Sequence, residues 1–506
     1  MNLSVGKLCI SWLLVISSLS LITGVASSQI TQSTWDEPVN ISNMATDSVH
    51  PVVVSDPSGS VHVFWAENIP RYGTFNNVIY YVNIEGSTPS LPVAIITPPQ
   101  GLQAMADFPD VVVGNDHRLH LVFVSGYNGS IYYSSASLKL AGNSRSWTKP
   151  LLISGDIIKS SNPNIAMDPQ GRLHVVFQSI SSQGQGIYHV LFDPETVRWS
   201  FPSVLPGSDL GIDFILGDTR LAIGPDGGLH VAWMWTHAKV SYPPKGIYYA
   251  HSIDPDGETW TIPQLFAEGP YEFPEIGFDG DGTLLLIWSG THPDRYKFFK
   301  WSKDNGNTWS GTGKVPFLAG FQGYAGLAND STGRLHLAMV GSHSVQGDGL
   351  FHLEWVNGEW LGPDTLLLNT HDDQNLMFSD FAISQGNQAH IVVMYPIEKG
   401  ELPEGDISAN TYQFEIYYIF GRLNAPALGV EPLLDEQPDP NELEVRPGQS
   451  SETTDLPTPI PAPVNPDPVF IEREVDISRV ILLGALPVIL FWIVIFALKK
   501  IKSRHI

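Results

Sequence analysis

PNIAMDPQGRLHVVF, residues 163–177, is the stretch whose reading decides the fold. It is an apolar run, an Asp-Pro-x-Gly turn, and a second apolar run that opens on Leu-His and ends on Phe. Short runs rich in Val, Ile and aromatics, bounded by Gly, Pro and Asp, are strands. Pro presets φ for a turn and Gly accepts the positive φ that follows. The stretch is therefore a hairpin. It recurs as PVVVSDPSGSVHVFW (51–65), PDVVVGNDHRLHLVF (109–123), TRLAIGPDGGLHVAW (219–233), PEIGFDGDGTLLLIW (274–288), AGLANDSTGRLHLAM (325–339) and SDFAISQGNQAHIVV (379–393). The aligned column reads His62, His120, His174, His230, Leu285, His336, His390, in steps of 51 to 58 residues. A fixed period of this length marks a repeat architecture.

A third strand follows each hairpin, as in GIYYAHSI (246–253), and often a fourth opening Trp-x-x-Pro, as in WTIPQLFA (260–267). Four antiparallel strands per unit make a propeller blade. The sequence thus predicts an all-β, seven-bladed β-propeller over 34–424, with a six-bladed sialidase-type ring as the alternative. The last repeat lacks a good fourth strand, and WDEPVNIS (35–42) has the form to supply it. Such a strand would close the ring and remove its exposed edges.

The histidine column recurs from repeat to repeat, so it is expected to be structural, hydrogen-bonding between blades, and not catalytic. A second column is more informative. At the second position of each first strand stand Val52, Asp110, Asn164, Arg220, Glu275, Gly326 and Asp380, followed by a uniformly apolar and then a mostly small position. That order suits strands converging on an axis, with the polar column ringing the central funnel. Convergent polar groups at a concave mouth are the default site, so Asp110, Asn164, Arg220, Glu275 and Asp380 are candidate ligand-binding residues. Arg71, His237 and Arg295, in the loops between second and third strands, are expected on the same face.

Ser302, Asp304, Gly306 and Trp309 spell a complete Asp-box, S-x-D-x-G-x-x-W, and Ser252 to Trp260 is a near copy with one extra residue. With the four-strand repeat, this resembles the sialidase-like, BNR-repeat propeller superfamily over roughly 34–424. The resemblance implies that the box is a structural turn. It also implies what a sialidase would need here: three arginines clamping a carboxylate, a Tyr nucleophile with a Glu, and an Asp acid/base. Arg71, Arg220 and Arg295 would be the clamp, Glu275 would pair with a tyrosine such as Tyr324, and Asp110 would be the acid. The family's Arg-Ile-Pro signature is missing, since Ile69-Pro70-Arg71 has another order. Two readings stay open: a propeller that binds a glycan or protein ligand without catalysis, and an exo-sialidase-type glycoside hydrolase.

The ends predict a location. Residues 1–28 read as a secretory signal containing the sole cysteine, Cys9. Residues 425–476 read as a Pro-rich acidic stalk, 480–498 as a transmembrane helix and 499–506 as a basic cytoplasmic tail. Together they predict a single-pass cell-membrane protein with its propeller outside. The formal net charge of −25 argues against a nucleic-acid partner. No spacing matches a zinc or EF-hand set, so no metal and no cofactor are expected.

Overall fold

The computed structural model describes residues 33–433, apart from 72–73, 99–104, 127, 183, 210–213, 238–245, 293–294, 321–322, 372–373 and 399–411. Alternating apolar and polar positions put the repeats into antiparallel strands. In the third repeat Ser160–Met167 pairs with Leu173–Ser179, and that strand with Gly186–Asp193. The short pieces Arg198–Trp199 and Ser203–Val204 form the outer edge. The second strands are the most buried: Leu173–Ser179 and Leu284–Gly290 are buried at every residue. The aromatics that end the repeated hairpin, among them Trp65, Phe123, Phe177, Trp233 and Trp288, lie in the core between sheets.

The all-β propeller is what the repeat predicts; the blade count needs correction. The described strands form six hydrogen-bonded sheets, not seven separate ones. The repeats at 274 and 325 are fused into one eight-stranded sheet. Their junction is the pairing of Leu318 with His343 and Ala319 with Ser342. The cause is local. The first strand of the 325 repeat is cut to Gly326–Asn329, while its second strand runs Leu335–His343. The far half of that second strand would be an open edge, and Gly313–Ala319 of the preceding repeat covers it.

The N-terminal segment pairs with the last strand as the sequence suggests. Thr34–Trp35 and Val39–Asn40 both lie against Tyr412–Arg422. The chain after Arg422 stays on the domain for some distance. Ser331 Oγ donates to the Pro426 carbonyl at 2.6 Å, Leu428 N–H to Gln385 at 2.8 Å, and Glu431 N–H to Pro57 at 2.9 Å. The start of the predicted stalk is therefore a strap across the hairpin turns.

The expectation of a transmembrane helix and of a membrane location is also corrected. Among the described residues no helix is long and apolar enough to cross a membrane. The apolar run 480–498, the signal 1–28, the rest of the stalk and the tail 499–506 lie outside the described residues.

The histidine column is structural, and His62, His120, His174, His336 and His390 bond within their own repeat and not between blades, while His230 also reaches Asn305 of the next repeat. His62 Nδ1 meets Tyr81 Oη at 2.7 Å and its Nε2 meets Asp56 at 3.3 Å, all in one repeat. His120 does the same with Tyr133 and Asp116, and His390 with Tyr418 and Ser384.

Candidate functional site

Every repeat brings its first strand to the axis, and in six of the seven the pairing of first with second strand slips there. The slips fall at Val49/Val52, Asp107/Asp110, Ser161/Asn164, Gly217/Arg220, Glu272/Glu275 and Met377/Ser379. Within each slip one non-glycine residue has positive φ: His50 (53°), Phe108 (49°), Asn162 (48°), Asp218 (53°), Phe273 (50°) and Phe378 (45°). Bulky side chains seldom adopt this conformation, and bulges are devices for re-aiming side chains. With Tyr324, these residues form an upper ring. His50 stacks on Phe108 at 3.9 Å, and Tyr324 lies 5.1 Å from Phe378 and 5.5 Å from Phe273. Sequence reasoning missed this ring. The available signal was Pro51, Pro109, Pro163 and Pro274, each directly after a ring residue; proline inside a strand marks a ladder break or bulge.

The polar column forms a lower ring two residues further along. Asp380 accepts the Val53 N–H at 2.8 Å, Asp110 the Ile165 N–H at 2.8 Å, and Asn164 the Leu221 N–H at 3.1 Å. Each of these side chains reaches the following repeat in the ring. The next link is different: Arg220 Nε donates to Glu275 Oε2 at 2.9 Å, side chain to side chain. The guanidinium carbon lies over Tyr324, 3.6 Å from the ring centre. Tyr324 Oη donates to Asp218 at 2.7 Å and accepts from Asn162. The sixth repeat has Gly326 in the column because a Cβ there would sit 2.3 Å from the Phe381 nitrogen.

Together the rings line one axial cavity of about 470 Å³. It runs from His50, Phe108, Tyr324 and Phe378 past Asp110, Asn164, Arg220, Glu275 and Asp380 to Asn329 near the hairpin turns. The five column residues predicted to converge do so. Of Arg71 and His237 only the backbone is described, at the ends of Val61–Arg71 and Leu229–His237. Arg295 lies exposed just before Tyr296–Ser302, outside the cavity lining. Arg220 is the sole arginine among the described lining residues.

The electrostatics follow from four buried acids, Asp110, Asp218, Glu275 and Asp380, sharing one guanidinium. Burial pushes Asp110 and Glu275 up to about 7, with Arg220 opposing; Asp380 rises to about 6 by the same cause. Arg220 stays a cation, because Glu275, Tyr324 and Asp110 outweigh its own burial. Burial, with Asp218 alongside, raises Tyr324 well above the ordinary phenol range. The cavity thus offers protonatable acids near neutral pH, an amide, a paired cation and aromatic faces. These are hydrogen-bonding and stacking groups.

The Asp-box residues sit away from this cavity, in a turn. Asp304 accepts from Ser302 Oγ at 2.7 Å and from Thr308 N–H at 2.8 Å, and Trp309 Nε1 donates to the Gly306 carbonyl at 3.1 Å. The turn at Asp254 repeats the scheme, with Trp260 Nε1 donating to Gly257 at 2.7 Å. Trp309 packs 4.7 Å from Phe266 and 5.2 Å from Tyr249 of the preceding repeat.

No protein-family model and no curated protein matches the chain. Solved structures do. A protein of unknown function from Dyadobacter fermentans is 15% identical with a TM-score of 0.46, covering 78% of this chain and 100% of that one. The polysaccharide lyase Uly1 is 12% identical with a TM-score of 0.48, covering 74% and 89%. The intramolecular trans-sialidase from Ruminococcus gnavus is 13% identical with a TM-score of 0.40, covering 74% and 96%.

Proposed function

We propose that the protein is a carbohydrate-binding propeller of the sialidase-like, Asp-box kind, which holds a sugar in the axial cavity without cleaving it. The observation that carries this reading is the convergence of Asp110, Asn164, Arg220, Glu275 and Asp380 beneath His50, Phe108, Tyr324 and Phe378 in one cavity. Sugar hydroxyls need dense donors and acceptors, and sugar C–H faces need aromatic planes. The matching hydrogen-bond schemes of the turns at Asp304 and Asp254 support the Asp-box resemblance.

The sialidase alternative needs three guanidinia free to grip a carboxylate. Arg220 is already held by Glu275 at 2.9 Å and stacked on Tyr324, and Arg295 lies outside the lining. That arrangement favours binding over hydrolysis. The test is a glycan array probed with the purified protein, beside a fluorogenic sialoside assay. Binding without turnover is expected, with affinity reduced in Asp110→Asn and Asp380→Asn, which keep an acceptor for the neighbouring backbone N–H. Sialoside turnover would replace this reading with the hydrolase. No binding by a folded protein would leave the rings as an axial clasp, which the contacts of Asp380, Asp110 and Asn164 with the next repeat favour.

A further inference from the structure

In four repeats the column histidine faces a tyrosine: Tyr81, Tyr133, Tyr249 or Tyr418. A hydroxyl donates or accepts as required, so one neutral tautomer satisfies the site. In two repeats the partner is instead a second histidine. His174 Nδ1 lies 3.0 Å from His189 Nε2, and His336 Nδ1 lies 2.9 Å from His352 Nε2.

The pair at His336 has a feature that the other lacks. Its two outer nitrogens each meet a carboxylate, His336 Nε2 with Asp330 at 3.2 Å and His352 Nδ1 with Asp364 at 3.3 Å. Ionised carboxylates only accept, so each outer nitrogen carries the hydrogen. The inner nitrogens, His336 Nδ1 and His352 Nε2, then present lone pairs to one another. Both rings are buried, and Trp35 packs on His352 at 4.8 Å. Two facing lone pairs repel, and a cation between them, a metal ion or a shared proton, would satisfy both.

Glu354 decides between them. It lies directly across the strand pair from His336, and its carboxylate and the two histidines have ligand atoms all within 4.8 Å of one another. The corresponding position in the other histidine pair is Leu191, opposite His174. Imidazoles oriented by outer carboxylates are how proteins prepare histidines for a metal. Two such imidazoles and a carboxylate form a zinc-type donor set with a fourth position left for water. Glu354 is 21% exposed, so the site can be reached from solvent, and the ion would share or displace the Arg334 contact at 2.7 Å.

We propose that His336 Nδ1, His352 Nε2 and Glu354 form a binding site for a divalent transition-metal ion of the zinc type, with Asp330 and Asp364 orienting the two rings. Ligands of a tetrahedral zinc at about 2.0–2.1 Å stand roughly 3.3 Å apart, so the rings separate by a few tenths of an ångström when the ion enters.

The test is titration of the metal-stripped full chain with Co²⁺, followed by visible absorption and calorimetry. One Co²⁺ per chain, displaced by Zn²⁺, is expected. His352→Tyr installs the residue that four other repeats carry and should abolish uptake, whereas His189→Tyr should leave it unchanged. Glu354→Gln should weaken it, and Asp364→Asn should weaken it about ten- to a hundredfold. The proposal is overturned if the folded chain takes up no Co²⁺, which would leave a shared proton between the rings, or if His352→Tyr binds as well as the parent.

Discussion

The two sides of the axial ring are tied together by different chemistry. On one side Asp380, Asp110 and Asn164 each accept a backbone N–H from the next repeat. On the other, Arg220, Glu275, Tyr324, Asp218 and Asn162 bind one another through side chains. A backbone contact of the first kind fixes one repeat against the next and has no substitute partner. Side-chain contacts of the second kind can be exchanged for contacts to a ligand. The difference separates contacts that lock one repeat to the next from contacts that a bound sugar can exchange.

Arg220→Ala should break this contrast most severely. Glu275 would lose its partner, and the buried acids that share the guanidinium would face one another without a cation. Removing one member of a buried pair costs about 3–5 kcal/mol, read as a fall in unfolding free energy in denaturant. A cost no larger than that of Asn164→Ala would erase the distinction between the two sides. Asp110→Ala should cost about 1–3 kcal/mol, because the Ile165 N–H is left without an acceptor, while Asp110→Asn should be close to neutral. Equal losses in the two variants would mean that the charge of Asp110, and not its contact to the backbone, is what matters. Tyr324→Phe removes one hydroxyl from the exchangeable side and should cost about 1 kcal/mol, with a larger proportional loss in sugar affinity.

The gentlest probe is pH. Asp110 and Glu275 near 7 and Asp380 near 6 keep protons in the folded state that the unfolded chain has already released. Where the folded state binds more protons, stability falls as pH rises. Thermal melting should therefore decline from about pH 4, the ordinary carboxylate value, to about pH 7. Asp110→Asn should flatten that decline. A melting temperature that climbs across the window would show these acids to be stabilised as anions.

Much of the architecture could be read from the repeated hairpin, because each copy repeats both the strand pattern and the histidine. The polar column could be read too, since convergence on an axis demands apolar and small residues just after it. The upper ring was not legible. Nothing in Phe108, His50 or Phe378 encodes positive φ; the tertiary packing imposes it, and only Pro51 and Pro109, after His50 and Phe108, hint at the bulge. The fused sheet was hidden for a similar reason. It depends on Gly326–Asn329 being too short to cover Leu335–His343, which is a matter of lengths in space. The histidine pairs show the opposite case: the column was visible, but its partners in the third strand, His189 and His352, read as ordinary members of an aromatic run.

The closing strands set a timetable for synthesis. Val39 pairs with Tyr418, about 380 residues later in the chain. At about 5–20 residues per second, this early strand waits roughly 20–75 s for its partner. Throughout that interval the exposed edge at Val39–Asn40 is short, only two residues. A long apolar edge there would invite pairing with another nascent chain; two residues give a neighbour little to hold.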